Sequence, residues 1–277
     1  MPELPEVETV CRGLRPHLIG HVIQSLDVRT PRLRWPLDRE ELRRTCVRAK
    51  VLDIRRRGKY LIVELSDLRA LIIHLGMTGA FRTCGPAEPV AAHEHMIWTL
   101  SSGTTWRFSD TRRFGSVTAC KLPGPGETPT ELDHLGPEPL APEFDAGFLY
   151  RITRKRKRPI KNLIMDQQVV VGVGNIYANE ALFRAWLRPR RAAHRLTKRH
   201  CERLVQGIKG VLAEAIDIGG TTISSFKAVD GSEGKFRTQL DVYGREGLPC
   251  TRCGSCSLVK RIVLGGRATY YCPKCQH

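Results

Sequence analysis

Four cysteines close to the end of the chain fall into two pairs, Cys250 and Cys253 in CTRC and Cys272 and Cys275 in CPKC. Thiolates at this spacing converge tetrahedrally on Zn²⁺, and four of them fill its coordination shell. The ion expected is therefore a single structural zinc with no open position for catalysis. Cys256 forms a competing CxxC with Cys253, but Pro249 and the symmetry of the two pairs favour Cys250. The other chemically suggestive stretch is Met1-Pro2-Glu3-Leu4-Pro5-Glu6. Once Met1 is removed, the Pro2 nitrogen is a secondary amine that titrates near pH 8, about two units below lysine. Such an amine attacks electrophilic carbon and forms an iminium. Glu3 is placed to move protons for it. The same residues also suit a plain helix start, with Glu3 and Glu6 set for the macrodipole, and on the residues alone both readings stand.

These groups need a scaffold. Val7, Val10, Cys11, Leu14 and Leu18 recur at helical spacing and predict a helix from Pro5 to about residue 17. From Val22 to about Thr118 short apolar runs separated by turn residues predict an all-β sandwich or barrel. Six prolines between Leu122 and Pro142 mark a domain boundary. Beyond it Ile176–Leu187 and Thr197–Ile218 predict helices, the second carrying a full apolar face and stopping at Gly219-Gly220. Between the cysteine pairs, SLVKRIVL and RATYY predict a hairpin turning at Gly265-Gly266.

Composition narrows the function. Forty-five Lys and Arg against 28 Asp and Glu give a net charge of +17, a field that attracts polyanions. Seven cations crowd into the eleven residues from Arg151 to Lys161, and no amphipathic anchoring helix accompanies them, which favours nucleic acid over membrane. No run of about 18 apolar residues could span a bilayer, and the first residues lack a signal-peptide layout. The remaining cysteines (Cys11, Cys46, Cys84, Cys120 and Cys201) are scattered singly, as in a reduced compartment. The expectation is a soluble cytoplasmic protein.

Read together and in order, MPELPEVET, RRGKYL, HLGMTG, RRFG, LGPEPL, VVGVGNIYANE, VYGREG and the cysteine knuckles resemble the bacterial formamidopyrimidine-DNA glycosylase family over essentially the whole chain. The resemblance implies an α+β fold of two domains. An N-terminal β-sandwich with a leading helix (residues 1–134) joins through a linker (135–150) to a helix-two-turn-helix domain (151–245) and a zinc-bound hairpin (246–277). It implies removal of oxidised purines from duplex DNA, followed by cleavage of the abasic strand by β- and δ-elimination. Pro2 would attack C1′, Glu3 would assist ring opening and Glu6 would support it. Lys59 would serve β-elimination, and Arg267 δ-elimination. Met77, Arg112 and Phe114 would fill the space left by the flipped nucleotide, an apolar insertion of the kind that holds unstacked DNA. His93, Arg113, Lys157 and Asn175 would contact phosphates.

Some features stand apart from this pattern. The 18 residues between the cysteine pairs exceed the family's spacing slightly and include Cys256, which bears on the reach of Arg267. Thr221–Arg237 would be the loop over the extruded base. Three other readings compete: an endonuclease VIII-type glycosylase for oxidised pyrimidines, a non-catalytic DNA-binding homologue, and a zinc-ribbon protein that binds RNA. The chain is expected to act as a monomer on damaged double-stranded DNA.

Overall fold

The computed structural model describes residues 2–219 and 240–277. The expected Thr221–Arg237 loop lies outside them. The chain divides into two compact units, one running to Asp133 and the other from His134 to Ile218 together with the C-terminal segment.

The first unit opens with α1 (Leu4–Leu18), whose apolar stripe Val7, Val10, Cys11, Leu14 and Leu18 is buried as its spacing predicts. Two four-stranded antiparallel sheets follow. One has the order β1 (Ile23–Val28), β6 (Glu94–Leu100), β7 (Thr105–Asp110), β5 (Gly79–Cys84). The other has the order β2 (Val51–Arg57), β3 (Tyr60–Leu65), β4 (Arg69–His74), β8 (Ser116–Lys121). Their buried faces form one core around stacked Trp98 and Trp106, with ring centroids 4.1 Å apart. A buried ion pair between Arg107 and Glu94 (3.2 Å) stiffens the first sheet, with Arg82 on the same carboxylate.

Within the stretch expected to be β alone, the chain inserts α2 (Arg39–Cys46). Asp38 caps it by accepting the Glu41 N–H at 2.9 Å, and acids lead while arginines close it. Its short apolar face, Leu42 and Cys46, leaves little periodicity to detect.

The second unit holds α3 (Ala146–Thr153), α4 (Ile160–Ile164), α5 (Asn175–Arg184) and α6 (Lys198–Ile218). The Asp145 cap on the Phe148 N–H starts α3 inside the stretch expected to be linker. The last elements are β9 (Pro249–Cys250), β10 (Gly254–Leu258), β11 (Lys260–Leu264) and β12 (Arg267–Tyr271). The β11–β12 turn is two residues long, with Gly265 and Gly266 both at positive φ, the conformation of a type I′ hairpin. Among the described residues no helix is long and apolar enough to cross a membrane.

Candidate active site and zinc centre

Pro2 is buried directly ahead of α1, and Glu3 caps that helix. The Glu3 side chain accepts the Glu6 N–H, and Glu6 Oε2 accepts the Glu3 N–H at 2.8 Å, forming a reciprocal capping box. Both carboxylates are buried. The two acids beside the proline are thus locked by backbone hydrogen bonds, which also fixes the direction in which the chain meets the helix.

Side-chain contacts clamp α1 to β2. Arg56 reaches Glu8 at 2.8 Å, Arg15 reaches Asp53 at 2.9 Å, and Cys11 Sγ donates to the Ile54 carbonyl. β2 then turns back through Gly58-Lys59 into β3, with Arg57 paired to Tyr60. Gly58 takes positive φ, and Lys59 is buried on this two-residue turn. His74, at the end of β4, lies 5.0 Å from the Tyr60 ring, and its Nδ1 accepts the Gly76 N–H at 2.9 Å. Burial, reinforced by the charges of Lys59 and Arg34, pushes its pKa down to about 4. The imidazole is therefore neutral near pH 7, with its proton on Nε2. His74 was passed over in the sequence, although it heads the HLGMTG motif.

The next residues form a cavity of about 620 Å³, lined by Arg32, Arg34, His74, Met77, Arg112 and Phe114 among others. Three loops meet there. The Asp110 carboxylate accepts the Thr78 hydroxyl with one oxygen and the Gly115 N–H with the other (2.7 Å), while Arg112 N–H donates to Thr78 Oγ1. Gly115 in turn offers its carbonyl to the Arg34 N–H at 3.0 Å. The loops approach so closely that a Cβ on Gly76 would stand 2.4 Å from the Gly115 nitrogen. Phe114 is 45% exposed, with the Arg112 guanidinium 4.6 Å from its ring centre. Arg113 is exposed at positive φ, as is His93, whose carbonyl accepts the Asp110 N–H. The structure thus gathers Met77, Arg112, Arg113 and Phe114 and adds Asp110 and Thr78, which the sequence did not single out.

In the second unit Lys161 departs from expectation. It counts in the basic run yet is completely buried. Its ammonium donates to Asn175 Oδ1 (2.6 Å), Thr269 Oγ1 (2.6 Å) and the Ala268 carbonyl (3.2 Å). Three acceptors offset the desolvation of a buried cation. Asn175 Nδ2 also donates to Ala268, and Asn179 Oδ1 accepts the Tyr270 N–H. β12 is therefore bolted to α4 and α5, and its first residue, Arg267, stays exposed beside the Gly265-Gly266 turn. Lys157 is exposed on the loop before α4, apart from this network. Glu180 holds the VYGREG segment through the N–H groups of Asp241, Val242 and Tyr243.

The sulfurs of Cys250, Cys253, Cys272 and Cys275 all lie within 4.8 Å of one another, with Cys250–Cys275 at 3.9 Å and Cys253–Cys272 at 3.8 Å. Tetrahedral zinc with bonds of about 2.3 Å sets sulfurs about 3.8 Å apart, so the four residues fit the ion. Two knuckle N–H groups already point at the sulfurs, Arg252 to Cys250 (3.4 Å) and Cys275 to Cys272 (3.3 Å). Cys256 is exposed and outside the cluster, which settles the choice of Cys250.

Comparison with known proteins agrees with this architecture. Residues 1–117 match the formamidopyrimidine-DNA glycosylase N-terminal domain, 135–227 its H2TH domain, and 247–277 the zinc finger found in FPG and IleRS. The formamidopyrimidine-DNA glycosylase of Thioalkalivibrio sulfidiphilus is 50% identical across all of both chains, and that of Alteromonas mediterranea is 46% identical over the same extent. Among solved structures, the MutM (Fpg) protein of Thermus thermophilus superposes with a TM-score of 0.86 at 42% identity, covering 99% of this chain and 98% of its own. Lactococcus lactis Fpg in complex with abasic-site DNA gives 0.87 at 33% identity, covering 99% of each chain. The chain belongs to the formamidopyrimidine-DNA glycosylase family.

Proposed function

We propose that this protein removes oxidised purines, 8-oxoguanine and formamidopyrimidines, from duplex DNA and then cleaves the abasic strand. The observation that carries this reading is the buried Pro2 followed by the reciprocal Glu3–Glu6 box. After loss of Met1, the Pro2 amine attacks C1′, the base leaves with the electrons of its glycosidic bond, and the proton shed by the Pro2 nitrogen neutralises the departing base. Protonation of the sugar ring oxygen, assigned to Glu3, opens the ring and leaves an iminium. Glu6 holds Glu3 by its backbone. Lys59 serves β-elimination, and Arg267 the δ-elimination that follows. Met77, Arg112 and Phe114 form the wedge, and His93, Arg113, Lys157 and Asn175 hold phosphates. Asn175 does so from a side chain already tied to Lys161 and Ala268, so its role is as much to place β12 as to touch DNA.

Zinc, when bound by its four cysteines, supplies a fixed joint for the hairpin that presents Arg267. Structures of Lactococcus lactis Fpg with abasic-site DNA and of its mutant with Fapy-dG DNA support damaged DNA as the partner. Every assigned residue comes from one chain, which supports a monomer, and a DNA substrate supports action in the cytoplasm at the nucleoid. Residues 1–134, 151–245 and 246–277 serve as catalytic, DNA-gripping and zinc-finger parts, joined through 135–150.

Borohydride trapping on an 8-oxoguanine duplex tests the mechanism. A covalent adduct on protein lacking Met1 is expected, and no adduct would sink the enzyme reading. Faster release of thymine glycol than of 8-oxoguanine would favour the endonuclease VIII-type activity instead.

A further inference from the structure

Two acid-free, cation-rich segments of the second unit lie side by side. The first is Arg154-Lys-Arg-Lys-Arg158; the second runs from Arg188 to Cys201 and carries Arg190, Arg195, Lys198 and Arg199. Backbone hydrogen bonds join them: Ile160 N–H to the Arg191 carbonyl (2.8 Å), Ala193 N–H to Arg158 (3.0 Å) and His194 N–H to Arg156 (3.0 Å). Pro159 and Ala192 form a β-bridge at the seam, and the Arg154 guanidinium spans it to the Leu196 carbonyl.

Some of these cations have structural work. Arg158 pairs with Asp166 at 2.7 Å, and Arg188 donates to the Gln276 carbonyl. The others do not. Lys155, Arg156, Arg190, Arg195, Lys198 and Arg199 are exposed, and among the described residues none forms an ion pair. His200 stands next to this charge: burial first, and then the charges of Arg191, Arg203 and Arg199, push its pKa down. A solvated protein surface ordinarily interleaves both signs, because massed like charges repel one another and destabilise the compact state. Here folding sets two such segments against each other instead of apart.

We propose that this seam extends the DNA-backbone surface begun at Lys157 and takes phosphates of the duplex flanking the lesion. The proposal rests on the DNA-repair function above and adds residues outside the contacts assigned there. Phosphate contacts carry no sequence information, so the patch holds undamaged flanking DNA and lengthens the footprint without altering lesion choice. Each phosphate neutralised releases counterions and steepens the dependence of log K on log salt by about 0.9.

The test compares the zinc-loaded full chain with its R190Q/R195Q/R199Q variant. Binding is titrated against salt on 8-oxoguanine duplexes of about one and about three helical turns. The variant should lose about two to three from the salt slope on the long duplex. The slope on the short duplex and the single-turnover excision rate there should stay as they were. Replacing the same three arginines by lysine should keep the long-duplex slope. Should the triple variant melt early, Arg195→Gln alone should lower the slope by about one. An unchanged long-duplex slope overturns the proposal and leaves the seam a solvated face. An equal loss on both duplexes overturns its flanking placement, and a loss seen only with an RNA competitor assigns the seam to RNA. Failure of the unmodified protein to excise 8-oxoguanine from the short duplex would instead refute the repair function, since that readout does not depend on the seam.

Discussion

The carboxylate of Asp110 accepts the hydroxyl of Thr78, 32 residues earlier in the chain. With its second oxygen on the Gly115 N–H, Asp110 makes one rigid body of the loops that carry Met77, Arg112 and Phe114. A wedge must not yield when it displaces a stacked nucleotide, and a buried acceptor with two donors supplies that stiffness.

Asp110→Ala leaves a buried N–H unpaired and frees the Thr78 hydroxyl. Losing such a partner costs about 1–3 kcal/mol, or roughly five- to 160-fold in the step that depends on it. Excision of 8-oxoguanine from duplex should fall by that factor. Strand cleavage at an abasic site in single-stranded DNA, which needs no wedge, should be retained. Equal losses in the two assays would mean general damage to the fold and not a loosened wedge.

Lys161→Met should act on the other end of the reaction. The methionine fills the space but leaves Asn175 Oδ1 and Thr269 Oγ1 without their shared donor. β12 then loses its hold and Arg267 its position. On abasic-site DNA the products should shift from the doubly eliminated gap toward the singly eliminated strand, by about ten-fold or more in their ratio. An unchanged ratio, resolved by denaturing electrophoresis, would separate Lys161 from the δ-elimination step.

Removal of zinc should release the hairpin. Elemental analysis should find one zinc per chain, and Cys272→Ser should lower it. Cys256→Ser should leave it intact, because that thiol is exposed and outside the cluster. Chelated protein should bind lesion duplex weakly while the first unit keeps its β signature in circular dichroism. Zinc loss in the Cys256→Ser protein would contradict the four ligands assigned here.

His74 makes stability depend on pH. Its folded pKa of about 4 lies below the unfolded value near 6.5. Below pH 6.5 the unfolded chain takes up a proton that the folded chain refuses. Stability from this residue is thus fully present above about 6.5, falls as the pH drops toward 4, and then levels off. The slope is at most about 1.4 kcal/mol per pH unit. Urea unfolding at pH 7 and pH 5 should show a smaller difference in His74→Gln than in the unmodified protein.

Parts of this molecule with local causes were legible in the sequence. The apolar period of α1 and the paired glycines of the last hairpin declare themselves within a few residues. Cysteine spacing did the same for the zinc ligands. KVLDIRRRGKYLIVEL, by contrast, reads as one β run that the structure breaks at Gly58-Lys59. What escaped depends on distant partners. Asp110 looks like any strand-end acid until Thr78 and Gly115 fold around it. Lys161 reads as one more cation in a basic run because its acceptors, Ala268 and Thr269, lie 107 and 108 residues on. α2 was missed for a local reason, since its cap is sound but its buried face is too short to set a period.

The sealed ammonium of Lys161 also gives the protein a built-in reporter. With no part of the side chain open to solvent, an amine-acylating reagent should mark Lys155, Lys157 and Lys198 promptly and pass over Lys161. Any opening of the joint between α4, α5 and β12 would expose that amine. Peptide mapping of the acylated lysines would then time the event, residue by residue, in a sample that carries no probe.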